Sequence, residues 1–272
     1  MIYICYMRHK RRDEFVILQE PVNEQEIMCY HKSLTLTAEE LSASYNALVP
    51  ESVHLPVYHA TGFMRPHWPI LSRQQPQAFE AMQWGLLPMW TKAGQEAEMQ
   101  ARTLNARQET IFEKPAFRRA AQNGQRCVIP VTGFFEWYTK GGKKYPFYIR
   151  GKEPVVSIAG LWEEWTDRET GEVKRTYTVL TTEANTLLAA IHNTKKRMPC
   201  LLTPTAEQAW LKENLSEKEV AQLLAEPYPA ESMRSHSISR RITARDEDSD
   251  VAEVLQPVEY PELAGQTALF QG

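Results

Sequence analysis

The chain has 272 residues, with 31 Lys and Arg against 34 Asp and Glu and a formal charge of -3, so it is not a bulk polycation. Its 43% apolar, 24% charged and 10% aromatic residues give it the nonpolar content of a globular protein and exclude disorder of the whole chain. No run of about eighteen apolar residues occurs, and the segment MIYICYMRHKRRDEF places its charges after a short apolar stretch, so neither a membrane span nor a secretory signal is read.

The cysteines at 5, 29, 127 and 200 lack the paired spacing of a zinc site and are too few to staple a chain of this length. A reduced, cytoplasmic setting is expected.

The first 28 residues hold a small basic cluster (Arg8, Lys10, Arg11, Arg12), then acidic residues, without a sustained helical or strand period. They read as an N-terminal appendage, and residues 29–272 as one domain. Thr37-Ala-Glu-Glu predicts a capped helix with Leu41, Tyr45 and Leu48 on one face. The middle of the chain predicts short strands at Arg126–Val131, Gly133–Thr139, Tyr145–Arg150, Val155–Trp162 and Arg175–Thr182. Lys140-Gly141-Gly142-Lys143 and Asp167 to Gly171 mark turns between them. Helical periods recur at Glu183–Ile191, Thr205–Asn214 and Ser216–Glu226. The expected class is α+β: a single compact domain with a curled, mostly antiparallel, barrel-like β core and peripheral helices.

Strand alternation places Glu136 on one face of GFFEWY with Phe134 and Tyr138. A carboxylate dehydrated by two rings suits proton transfer near neutral pH, while a strand-edge Glu paired with a lysine of the next turn is the plainer reading. His192 follows the last apolar position of its helix, where the dipole favours imidazolium and Lys195, Lys196 and Arg197 oppose it; a poised histidine and an ordinary helix-end histidine both fit. Asn105, where an extended stretch gives way to a helical one, reads as an N-cap, and Arg107 as a solvated helix residue. Most free cysteines are inert core residues, but Cys29 follows Met28, and a small residue after an initiator methionine is what permits its removal. Removal would leave Cys29 with a free α-amine beside its thiol.

Together these residues resemble the SOS response-associated peptidase (SRAP) family of abasic-site processing proteins. The resemblance rests on ordered blocks: Met28-Cys29, Trp84 to Pro88, Leu104 to Thr110, Arg126 to Pro130 running into Gly133 to Trp137, Ala159 to Trp162, Thr181-Thr182 with Ala184-Asn185, and Ile191-His192 leading to Arg197-Met198-Pro199. It implies capture of abasic sites in single-stranded DNA, with no metal or organic cofactor. The amine of Cys29 would form a Schiff base and its thiol close a thiazolidine, with autoproteolytic and lyase activities alongside. Glu136 would shuttle protons, His192 assist the imine steps, and Asn105 hold the N-terminus and sugar.

The same resemblance brings Arg107, Thr181 and Arg197 to the DNA, along with Trp84 and Trp137, each Trp being an equally good candidate for the core. At a net charge of -3, binding would need a local basic surface, for which Arg102, Arg107, Arg118, Arg119, Arg126 and Lys195 to Arg197 are candidates. Sequence-tolerant binding by a monomer is expected. The chain departs from the family at Tyr30 and His31, where Gly and Arg are commoner, which puts a DNA contact there in doubt. Its HSISRRITA segment is only loosely similar. Two other classes share these residue types: a thiol peptidase using Cys29, His192 and Asn105, and a noncovalent reader of damaged DNA.

Overall fold

The computed structural model describes residues 3–7, 17–21, 30–244 and 247–265. Strands β1 (Tyr3–Met7) and β2 (Ile17–Pro21) pair antiparallel in a two-stranded ribbon that, among the described residues, is hydrogen-bonded to no other strand; the sequence shows no sustained strand period there. The chain then supplies β3 (His31–Leu34), α1 (Ala38–Tyr45), β4 (Val57–Thr61), β5 (His67–Ser72), β6 (Gln75–Trp84), α2 (Glu96–Arg102), β7 (Asn105–Arg107), α3 (Pro115–Gln122) and β8 (Arg126–Val131). After these come β9 (Gly133–Lys140), β10 (Lys143–Gly151), β11 (Val156–Thr166), β12 (Val173–Glu183), α4 (Thr186–Ile191), β13 (Arg197–Pro199), β14 (Leu201–Leu202), α5 (Pro204–Trp210), α6 (Glu217–Ala225) and β15 (Met233–Ser237).

Five strands close a mixed barrel in the order β12-β6-β5-β8-β11, with β11 pairing back onto β12. Only the β6–β12 joint in that ring is parallel. A second sheet, β15-β10-β9-β3-β4, lies alongside. The α+β barrel expected from the sequence is therefore the observed architecture. The barrel strands bury Trp68, Ile70, Met82, Trp84, Ile129 and Tyr177 in one cluster.

Into that cluster β3 sends Lys32, 1% exposed. Its Nζ lies 3.6 Å from the Trp84 ring centroid, 4.4 Å from Trp68 and 4.6 Å from Tyr177, and it donates to the Tyr177 hydroxyl. Burial holds this amine well below the usual lysine range, while the three ring faces favour its charged form.

Local chemistry explains the elements read in advance. Thr37 Oγ1 accepts from Glu40 N (3.2 Å) and Glu40 Oε2 from Thr37 N (2.9 Å), closing a capping box. Ser216 and Glu219 repeat it on α6. Gly141 and Gly142 both take positive φ, 56° and 75°, as a two-residue hairpin turn demands. Helix α4 is shorter than its apolar period, because Glu183 still pairs with Arg197 in the sheet and Asn185 caps the helix through Leu188 N at 2.9 Å.

Candidate functional site

Strand β9 runs between β10 and β3, and its alternation is as the pattern implied. Phe134 and Tyr138 pack with the main core, Phe135 and Trp137 with a smaller cluster on the other face. Glu136, 2% exposed, therefore projects from a strand covered on both faces. His192, 4% exposed, closes α4 with its backbone N–H on Leu188 O at 2.7 Å. Its Nδ1 donates to Arg197 O at 3.1 Å and lies 3.6 Å from Glu136 Oε2. Because a carbonyl only accepts, Nδ1 carries a proton.

Asn193 fixes this junction, an arrangement that no local sequence signal marks. Its side chain accepts from Thr139 N (3.0 Å) and donates to Thr139 O (2.8 Å), so the end of α4 is clamped to β9 three residues beyond Glu136.

Asn105 is not an N-cap. It opens β7, which pairs parallel with β12, Asn105 opposite Val179 and Arg107 opposite Thr181. The three-residue strand satisfies backbone groups that a helix start would have left to the Asn side chain. Arg107 is exposed, on the strand and not on a helix. Thr181 is fully buried, its hydroxyl donating toward Ala106 O (3.4 Å) and accepting from Arg197 (3.2 Å).

Arg197 is also buried. Its guanidinium takes both oxygens of Glu109, at 2.7 and 3.0 Å, and Thr181 O at 2.7 Å. Burial alone would raise the Glu109 carboxyl, but the Arg197 hydrogen bond and charge, with Arg107 nearby, hold it below the ordinary carboxylate range. The surface roles expected of Thr181 and Arg197 are thus replaced in this conformation by an internal ion pair.

Trp84 is a core residue, 1% exposed, its indole N–H on Leu104 O at 2.9 Å, so it has no face to offer a nucleic acid. Trp137 is half-buried, edge-on to His31 at 4.7 Å. The indole that does face outward is Trp90, 56% exposed next to Met89; two large apolar residues directly after Pro88 were the signal available for it.

The basic set also divides. Arg126 is buried on Trp210 O and Lys212 O, Arg119 pairs with Glu163 and Arg102 with Glu98. Arg118 remains exposed beside these pairs.

Cys29 lies outside the described residues and is joined directly to Tyr30. The β3–β9 register, Lys32 opposite Phe134 and Ser33 opposite Gly133, runs toward Tyr30 on one strand and Glu136 on the other. Tyr30 is half-buried, edge-on to Phe63 at 4.9 Å, and its carbonyl accepts from Gly62 N at 2.8 Å. Among the described residues no group of three or more His, Cys, Asp or Glu could hold a metal ion.

His31 turns inward to His59, with 2.8 Å between Nδ1 and Nε2 and the rings stacked. Burial holds His59 down to about 4, partly offset by Asp250, and holds His31 well below the usual imidazole range, with His59 adding to it. The folded state thus binds fewer protons than the unfolded chain below pH 6.5, and stability is lost as pH falls from there toward 4. We expect about 2 kcal/mol from His59 alone to disappear between pH 7.5 and 5. Urea midpoints across that interval measure it, and a flat profile would show that neither imidazole is held below its unfolded-state pKa.

A closed mixed barrel flanked by a second sheet, with a buried carboxylate–imidazole pair beside the first strand of that sheet, defines an α+β protein. The chain belongs to the SOS response associated peptidase (SRAP) family, whose sequence profile matches residues 22–245. It is 35% identical over 165 residues to the Abasic site processing protein YoqW of Bacillus subtilis (strain 168), covering 60% of this chain and 70% of that one. It is 30% identical over 198 residues to the Abasic site processing protein HMCES of Gallus gallus, covering 65% of this chain and 57% of that protein. A crystal structure of a protein from Bacteroides thetaiotaomicron superimposes with a TM-score of 0.79 at 36% identity, over 85% of this chain and all of that one.

Proposed function

We propose that this protein processes abasic sites in single-stranded DNA by covalent capture through Cys29. The observation that carries the reading is the buried Glu136–His192 pair: its carboxylate stands on β9, the strand next to β3, and Tyr30, the residue preceding β3, is bonded to Cys29. The names of the relatives support the substrate. Ring opening of the abasic sugar exposes an aldehyde, and an aldehyde calls for an amine nucleophile, a thiol and a proton carrier.

In the proposed sequence Glu136 takes a proton from the Cys29 ammonium, and the freed amine adds to the aldehyde carbon. Glu136 returns that proton to the carbinolamine hydroxyl, which leaves as water, and the nitrogen gives up its proton to His192, leaving an imine. The Cys29 sulfur then adds to the imine carbon, the C=N bond becomes C–N, and the thiol proton passes to nitrogen. One aldehyde and one aminothiol give one thiazolidine and one water. Asn105, at the head of β7, orients the nucleophile and sugar. Exposed Arg107 meets phosphate, while Trp137 and Trp90 offer faces to unstacked bases.

Incubation with single-stranded DNA containing one abasic site, followed by heat denaturation, tests the reading. Covalent capture leaves a heat-resistant protein–DNA band, whereas a thiol peptidase or a noncovalent reader leaves none. Glu136→Gln keeps the shape but cannot carry the proton, so capture is expected to slow at least about tenfold and to lose most of its pH dependence. An unchanged rate from pH 5 to 8 would make Glu136 a structural residue.

A further inference from the structure

The family-matched stretch ends at residue 245, yet the chain that follows returns to β4, the neighbour of β3 in the second sheet. Ser249 Oγ lies 2.7 Å from His59 Nδ1, and Asp250 Oδ1 accepts from the backbone N–H of Tyr58 (2.6 Å) and His59 (3.1 Å). His59 Nε2 in turn meets His31 Nδ1 at 2.8 Å. A hydrogen-bonded chain thus runs from the returning segment through β4 to the first residue of β3, two positions from Cys29.

The segment is anchored well enough to act as a brace. Val254 is fully buried against Phe135, Tyr148 and Ile238. Ser237 exchanges hydrogen bonds with Val258, Tyr260 donates to Ile238 O at 2.6 Å, and Lys140 at the end of β9 donates to Glu262 O at 2.7 Å. The His31 ring also packs on Trp137 and the His59 ring on Phe135, so the same side chains touch both residues flanking Glu136.

We propose that His59 is a positioning residue for the capture reaction: through His31 it transmits the hold of Ser249 and Asp250 to the start of β3, fixing the strand that follows Cys29 in sequence beside the strand of Glu136. The inference rests on the capture reading given above. It assigns position 31 to an internal strut and not to a phosphate contact, and it makes residues 249–262 part of the site's machinery. Both imidazoles stay neutral over the working pH range because they are buried, so the N–H···N bond persists there.

The test uses protein bearing Cys29 at its N-terminus and a single-stranded oligonucleotide with one abasic site, at excess protein. His59→Phe keeps an aromatic ring but has no ring nitrogen, and Asp250→Ala removes the acceptor for the β4 amides. For both, the capture rate constant at saturating protein is expected to fall about tenfold, since a small misplacement of reacting atoms is costly. The half-saturating concentration should change by less than about twofold, because phosphate contacts are untouched. Final yield should equal wild type, the amides of residues 31–33 should exchange faster, and His59→Gln, which can both donate and accept, should recover much of the rate.

A lower final yield at an unchanged rate constant means a merely structural role and overturns the proposal, as does an unchanged rate constant. Should the wild type form no crosslink at all, the capture reading fails by itself. The exchange measurement then judges the strut alone, and unchanged protection of residues 31–33 in both variants refutes it.

Discussion

Cys29→Ala is expected to reduce the heat-resistant protein–DNA product to less than about 1% of wild type, because the ring that makes the adduct durable cannot close without sulfur. DNA binding should survive, and should still weaken steeply with salt, since phosphate contacts do not depend on the nucleophile. The alanine keeps an α-amine once residues 1–28 are gone, so the variant can still reach the imine. Borohydride, which reduces an imine to a stable amine, should therefore rescue a covalent band in Cys29→Ala and leave the wild-type yield little changed. That contrast separates the amine's part from the thiol's. Persistence of the adduct at wild-type yield in Cys29→Ala, without reductant, would remove Cys29 from the chemistry altogether.

The residues that could be placed from the sequence are those whose surroundings are local. The capping box at Thr37–Glu40, the Gly141-Gly142 turn and the alternation around Glu136 are decided within four or five residues, and the structure has each of them. Strand β5 escaped because Pro69 sits inside it and five of its six residues are buried, so it shows neither alternation nor the absence of proline that marks a strand. Trp84 could not be settled because β6 faces the barrel interior at its end, and whether an indole there meets solvent depends on Lys32 and Tyr177 from distant strands.

The ion pair between Arg197 and Glu109 and the dyad of His31 and His59 span 88 and 28 residues. No periodicity reports such a pairing. His31 in particular reads as a weak cation at a phosphate position, whereas its partner makes it a buried neutral ring. The same limit applies to the site as a whole. Glu136 and His192 were each readable as plain structural residues, and what distinguishes them is their 3.6 Å approach across 56 residues of chain.

The state of the Cys29 nitrogen decides whether capture occurs at all. In the chain as written that nitrogen belongs to the peptide bond with Met28, and an amide nitrogen is planar, resonance-stabilised and not a nucleophile toward an aldehyde. A protein beginning at Met28 and trimmed of it should crosslink abasic DNA, whereas the 272-residue chain, blocked from processing, should yield less than about 1% as much through Cys29. Translation starting at Met28 and removal of residues 1–28 as a propeptide both satisfy the chemistry. N-terminal sequencing of the protein from its native cell tells them apart, because only a propeptide leaves a transient species carrying Met1. The thiol peptidase reading predicts no crosslink from either form, and since a cysteine nucleophile at an internal position needs no free amine, it predicts peptidase activity from the intact chain. Full-rate crosslinking by an intact chain, with Met1 confirmed by mass spectrometry and the adduct mapped to Cys29, would rule out a thiazolidine. It would leave a simple thiol adduct, which reverses on thiol exchange where a thiazolidine does not.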